Sequence, residues 1–195
     1  MKPWKHFVTI TRHRMYVQRG CFAVGLYRQG LTHDLSKYRP REFWAGAKYY
    51  QGNRSPNVAE RNDKGFSEAW MHHKGHNRHH WEYWTDFNSA KLVDGKYVIT
   101  AVGVKMPYKY IIEMFCDFVG AGKAYMREKW TTKAPLNYWK TNCEGDRLMH
   151  TASEKLFVEL LTVMSRCATE DEFYEWYKSH KNRLVKIYTE ESFDD

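Results

Sequence analysis

Apolar residues recur along most of this chain at spacings of three and four, the period of helices that bury one face. From Trp4 to about Gln29, Phe7, Val8, Ile10, Thr11, Met15, Val17, Phe22, Val24 and Leu26 follow that period and predict one long helix, which carries His6 and His13. After the short loop QGLT, Thr32 is placed to cap a further turn in HDLSKY; Pro40 stops that turn and opens a helix through Trp44 to Tyr49. His33 and Asp34 thus fall at a helix N-terminus. The stretch QGNRSPNVAERNDKG is polar and broken by Gly, Pro and Asn, and reads as a surface loop with room for one helical turn. FSEAWMHHK is expected to be a short helix stopped by Gly75, so that HNRHHWEYW sets off in a new direction.

Two β-prone runs flank Asp94-Gly95 in KLVDGKYVITAV, the strongest short hairpin signal in the chain. Pro107 can open a long helix in which Ile111, Met114, Phe115 and Val119 face a core, while Glu113 and Asp117 share a side one turn apart. Thr151 with Glu154, and Thr169 with Glu172, have the spacing of capping boxes ahead of apolar runs from Leu156 to Met164 and from Phe173 to Tyr177. The expected fold is mostly α with one small β-hairpin. Its 195 residues, 43% hydrophobic, suit a single domain with one core. The acidic end EESFDD reads as a frayed tail.

Lys and Arg outnumber Asp and Glu by 31 to 23, and 16% of residues are aromatic, a balance that suits a phosphorylated partner and excludes little else. Cys21, Cys116, Cys143 and Cys167 form no C-x-x-C motif and read as reduced, mostly buried thiols. The first twenty residues break every apolar run with Lys, His or Arg, so neither a signal peptide nor a spanning helix is expected, and a soluble cytoplasmic protein is.

One segment changes the picture. WMHHKGHNRHHWEYW holds five of the ten histidines, His72, His73, His76, His79 and His80, walled by Trp and Tyr. Metal coordination explains such density best; a basic aromatic loop that touches phosphates is the rival. His33-Asp34 lets one turn present an imidazole and a carboxylate, the latter able to bridge two ions. A lone His-Asp pair is more commonly a structural hydrogen bond, so its neighbours matter.

Those neighbours give the order H…HD…H…H…D over mostly helical sequence, which resembles the HD-domain metal-dependent phosphohydrolase superfamily, a helical bundle. By position the resemblance assigns His13, His33, Asp34 and Asp117 as four core ligands. For the extra histidines of a two-metal member, His73 and His80 are favoured over His72, His76 and His79. The strings GLYRQGLTHDLSKYRPREF, YYQGNRSPN, AWMHHKGHNRHHWEYW and MPYKYIIEMFCDFVGAGKAY are similar to the DUF5662 family of bacterial and phage proteins, from about His6 to Tyr138. Phe118 stands where that family suggests Arg, Gly120 where it suggests a small residue such as Ala, and His76 where it suggests Arg.

These readings imply one or two divalent transition ions, Mn, Fe, Co, Ni or Zn, and hydrolysis of a phosphomonoester or phosphodiester, with a nucleotide or cyclic nucleotide foremost. Asp34 would bridge, Lys37 would reach the phosphate, and His79, as a non-ligand, would protonate the leaving oxygen. Glu113 would orient a ligand histidine or a basic side chain, and Lys123 and Tyr125 are weaker substrate contacts. Trp81, Tyr83 and Trp84 could stack on a base but are more in keeping with core. Two other functions fit: a di-iron oxygenase on the same ligands, or a zinc-stapled protein that binds nucleic acid or a signalling nucleotide. Structural zinc usually closes with cysteine, and no cysteine is near the cluster in sequence.

Overall fold

Helix α6 (Tyr108–Met126) is apolar around most of its circumference, and such a helix must be covered on every side. Ile111, Ile112, Met114, Phe115, Cys116 and Val119 are each 3% exposed or less. In this computed structural model, which describes residues 1–143 and 148–190, α1 (Pro3–Ala23) covers one side of α6 and α8 (Thr151–Arg166) another. Helix α9 (Glu170–Glu190) adds Phe173, stacked on Phe115 with centroids 4.7 Å apart. Phe118, partly buried, packs against the core among Tyr138 and Trp139 of α7 (Ala134–Asn142) and Phe157 of α8.

The remaining elements ahead of the ribbon pack on α1 or on one another. They are α2 (Tyr27–Thr32), a 3-10 turn at Leu35–Tyr38, α3 (Pro40–Lys48), α4 (Pro56–Lys64), α5 (Glu68–His76) and a 3-10 turn at Trp81–Tyr83. An antiparallel ribbon follows: β1 (Thr85–Phe87) pairs with β4 (Ala101–Gly103), and β2 (Lys91–Val93) with β3 (Lys96–Val98). Asp94 at φ 50° and Gly95 at φ 74° supply the two left-handed residues that a type I′ hairpin turn needs. The fold is mostly α with a small hairpin, as expected. Among the described residues no helix is long and apolar enough to cross a membrane, and the four cysteines are free, three of them buried.

Several boundaries differ from the sequence pattern, each for a local reason. The first helix stops at Ala23, not near Gln29, because Gly25 adopts φ 81° and closes a Schellman motif: Leu26 N–H donates to Cys21 O, and Gly25 N–H to Phe22 O. Thr32 ends α2 with its hydroxyl donating to Arg28 O; it does not cap the next turn. The polar stretch after Gln51 contains α4, more than two turns long, capped by Ser55 and ended by Gly65 at φ 81°. Gly75 does not stop α5, which runs on to His76. At α8 the cap is His150, accepting from Ala152 N–H, in place of Thr151. Half of the Thr169 box forms: Glu172 N–H donates to Thr169 Oγ1 at 3.2 Å, but the Glu172 carboxylate accepts from Ala168 N–H, one residue before the cap. The expected frayed tail beyond Glu190 lies outside the described residues.

The buried stripe of α1 is His6, Ile10, His13, Val17, Gly20 and Cys21, continued by Val24, whereas Phe7, Met15 and Phe22 are exposed. The helix thus turns its histidines inward. Gly120 permits this: a Cβ there would stand 2.5 Å from Val17 Cγ2 and 3.1 Å from Val17 N. Gly120→Val should therefore force α1 off α6 and cost ~1–3 kcal/mol. Gly75, by contrast, has open space where its Cβ would be, so Gly75→Ala should stabilise by up to ~1 kcal/mol. Chemical denaturation of the two variants checks both signs; a loss from Gly75→Ala or no loss from Gly120→Val would contradict this packing.

Candidate metal centre

Five segments bring carboxylates and imidazoles to one buried place. His13 comes from α1, His33 and Asp34 from the bend after α2, His73 from α5, His79 and His80 from the chain just beyond it, and Glu113 and Asp117 from successive turns of α6. Asp34 is the pivot. Its backbone is left-handed, φ 54° and ψ 23°, a conformation that Asp tolerates better than most residues, and its side chain is 1% exposed. Non-glycine residues held there concentrate at functional sites.

The two oxygens of Asp34 face different groups. Oδ2 stands 3.1 Å from His13 Nε2 and 3.4 Å from His33 Nε2, and Asp117 Oδ1 repeats those distances to the same two nitrogens. Oδ1 lies 3.3 Å from His73 Nε2 and 3.5 Å from His79 Nε2. Two quartets result, His13/His33/Asp34/Asp117 and Asp34/His73/His79/His80, each with ligand atoms within 4.8 Å of one another. Atoms bound ~2.1 Å from a common ion stand about 3.0–3.4 Å apart, close to the separations around Oδ2.

The atoms turned inward lack other partners. His33 Nε2, His73 Nε2, His79 Nε2, His80 Nε2 and Asp34 Oδ1 are buried without a hydrogen bond among the described residues. Buried polar atoms are rarely left so, and these five, four in the His73/His79/His80 quartet and one in the His13 quartet, fit cation sites. The outward nitrogens, meanwhile, are held. Glu113 Oε1 takes His33 Nδ1 at 3.0 Å and His79 Nδ1 at 3.2 Å, one carboxylate serving a histidine of each quartet. Glu42 Oε2 takes His73 Nδ1 at 2.8 Å and Oε1 takes His72 Nδ1 at 2.5 Å, and Ser36 Oγ donates to Glu42 and is itself reached by Asn77 Nδ2. Such contacts fix which ring nitrogen remains free for an ion.

All the favoured ligands, His13, His33, Asp34, His73, His80 and Asp117, come together. His79, expected to stand apart as a proton donor, points its Nε2 into the second quartet beside His73 and His80. His76 is exposed, bonded to His72 O, and both it and His72 lie outside the quartets. Lys37 Nζ sits 2.6 Å from Asp34 Oδ2 with its side chain 30% exposed, at the rim of the centre. Lys123 is paired with Glu170 and lies over the rings of Tyr16 and Trp130. Trp81 and Trp84 pack against the core, and Tyr83 lies under the guanidinium of Arg78. Glu42 was missed by sequence reasoning. An acid in the first turn of a helix is ordinary there, and nothing local marks it as a partner of two histidines thirty residues away.

Electrostatics within the cluster are strongly coupled. Burial opposes every charge, yet Asp34 and Asp117 are held well below the carboxylate range by His33, Lys37, His73 and His13, and Glu113 is brought down to about 2 by His33 and His79. Against the same burial, Asp34, Asp117 and Glu113 raise His33 well above its ordinary value, and Asp34 and Glu42 raise His73. Burial and neighbouring imidazoles lower His79 and His80, leaving them neutral. Burial raises Tyr125, with Lys37 opposing, which places the phenol in the field of the rim lysine.

The match to a family model, Family of unknown function (DUF5662), covers residues 2–163, most of the chain, and the chain belongs to that family. No curated protein and no solved structure matches it.

The shared hold of Glu113 gives a test. Glu113→Gln should weaken the uptake of two Mn or Zn ions by ~10–100-fold each, whereas Glu42→Gln should weaken one of the two by that factor. Because an ion must displace the proton that the acids hold on His33, which they raise well above its ordinary value of 6.5, wild-type affinity should rise as pH is raised above that value, with proton release. Calorimetry in buffers of different ionisation enthalpy reads both. Equal effects of the two substitutions, or affinity that falls as pH rises, would contradict the assignment.

Proposed function

We propose that this chain is a metal-dependent phosphohydrolase acting on a phosphomonoester or phosphodiester, with a nucleotide as the foremost substrate class. One observation carries the reading: Asp34 turns its two oxygens to two separate histidine-rich quartets, the arrangement a bridging carboxylate needs. The order of these residues along the chain also resembles that of the HD-domain phosphohydrolases. Two divalent ions held there would supply a water ionised near neutral pH and would neutralise charge on the phosphoryl oxygens.

The protein's own groups divide the remaining work. His13, His33 and Asp117 would hold one ion, and His73, His79 and His80 the other, with Asp34 shared between them. Glu113 and Glu42 keep the Nδ1 atoms of His33, His79 and His73 engaged, so that each Nε2 faces inward. Lys37 stays protonated, since Asp34 and Asp117 outweigh its burial, and from the rim it can exchange part of its contact with Asp34 for a substrate phosphate. With His79 among the candidate ligands, Tyr125, a buried tyrosine in the field of that lysine, is the better candidate to protonate or orient the leaving oxygen. The basic balance of the chain, +8 with neutral histidines, favours an anionic substrate.

A screen of nucleotides and phosphate esters with Mn, Co, Ni or Fe supplied tests the reading. Wild-type protein should hydrolyse at least one of them. Asp34→Asn should lose both ions and turnover, while Lys37→Ala should keep its metal and show a raised KM or lowered kcat. In thermal melts, added metal should raise the wild-type Tm far more than that of Asp34→Asn. Equal shifts, or full turnover by Asp34→Asn, would leave His33-Asp34 as a structural pair and end the proposal.

A further inference from the structure

A second polar feature lies along the first turns of α1. A cavity of about 410 Å³ is lined there by Lys2, Lys5, Arg12 and Arg127 and by the rings of Trp4 and Tyr50. That volume is in the range of small-molecule sites, ~300–1,000 Å³. No Asp or Glu lines it, and among the described residues none of its four cations is in an ion pair. Like charges gathered around one concavity repel unless an anion answers them.

Arg127 adds an independent observation. Its backbone stands at φ 54°, ψ −123°, the conformation of the first central residue of a type II′ turn, where glycine dominates because a Cβ is strained. Strain of this kind concentrates at ligand sites, and here it puts a guanidinium on the cavity wall. The cavity also adjoins the metal centre. Thr9, on its wall and bonded to Tyr50 Oη at 2.8 Å, precedes His13 by one helical turn, about 6 Å along the axis. Trp4 is 74% exposed and stacks on Phe7 with centroids 5.8 Å apart.

We infer that this cavity binds a nucleotide bearing more than one phosphate group, its phosphates on Lys2, Lys5, Arg12 and Arg127 and its base against Trp4 or Tyr50. Nucleoside polyphosphates and short single strands share that chemistry. The inference rests on the phosphohydrolase reading only in taking this ligand as the substrate of the adjoining centre.

Calorimetric titration of the full chain, metal supplied, with AMP, ATP and a single-stranded trinucleotide tests it. ATP or the trinucleotide should bind at least about ten-fold more tightly than AMP, the difference expected of further charge-assisted contacts, and the tighter of the two names the source. Arg127→Gly should raise Tm, because glycine relieves the backbone, and yet weaken that ligand about five-fold or more. Lys5→Glu should weaken it likewise, and Lys96→Glu on β3, the same change of charge, should leave it unaltered. A merely structural Arg127 would give the gain in Tm with unchanged affinity, and that outcome, or AMP binding as tightly as the other two, would overturn the inference. Absence of turnover would count against the phosphohydrolase reading and leave this binding result standing.

Discussion

Four carboxylates, those of Asp34, Glu42, Glu113 and Asp117, are buried or nearly so around one point, with Lys37 the nearest lysine. An unpaired buried carboxylate costs several kcal/mol, and two that share a histidine repel one another as well. Histidines can answer part of this charge only by protonating, which would turn ligands into cations that repel among themselves. Two divalent cations, as proposed, would answer it while leaving the imidazoles neutral. Much of the local structure follows from that requirement. The left-handed backbone of Asp34, the inward face of α1 and the turn-to-turn spacing of Glu113 and Asp117 all serve to bring these groups within 3 to 4 Å.

The same requirement explains two features of packing. Gly25 ends α1 early and turns the chain so that α2 leads His33 and Asp34 back across it; a helix continuing to Gln29 would carry them away from His13. Gly120 lets α1 lie against α6 closely enough for His13 to reach Asp117 at 3.1 Å. Three residues of the centre, His13, Glu113 and Asp117, thus come from α1 and α6, helices that belong to the core, and rigid supports of this kind fix side-chain positions.

What the sequence revealed, and what it did not, follows from whether a signal is local. The core face of α6 was readable because Ile111, Met114, Phe115 and Val119 are apolar at helical spacing, and the hairpin because Asp94-Gly95 encodes its own turn. That these residues would gather in one candidate centre was readable because the histidines are dense and the His-Asp pair is adjacent. The face of α1 was not: His6 and His13 occupy buried positions where an apolar residue would normally mark the core, while Phe7 and Met15 lie outward. Nor could the role of His79 be read, since which nitrogen turns inward depends on Glu113, thirty-four residues on in sequence. Glu42 and Arg127 were hidden for related reasons. One acts only through distant histidines, and the other is unusual only in its backbone angles.

Asp34 is proposed to be shared by two ions. Anomalous diffraction from crystals grown with Mn tests it most directly. The account predicts two peaks about 3.5–4 Å apart, one beside His13 and Asp117 and the other beside His73 and His80, with the Asp34 carboxylate between them. A single peak contacting only one oxygen of Asp34, or no peak at these histidines in saturating metal, would contradict it.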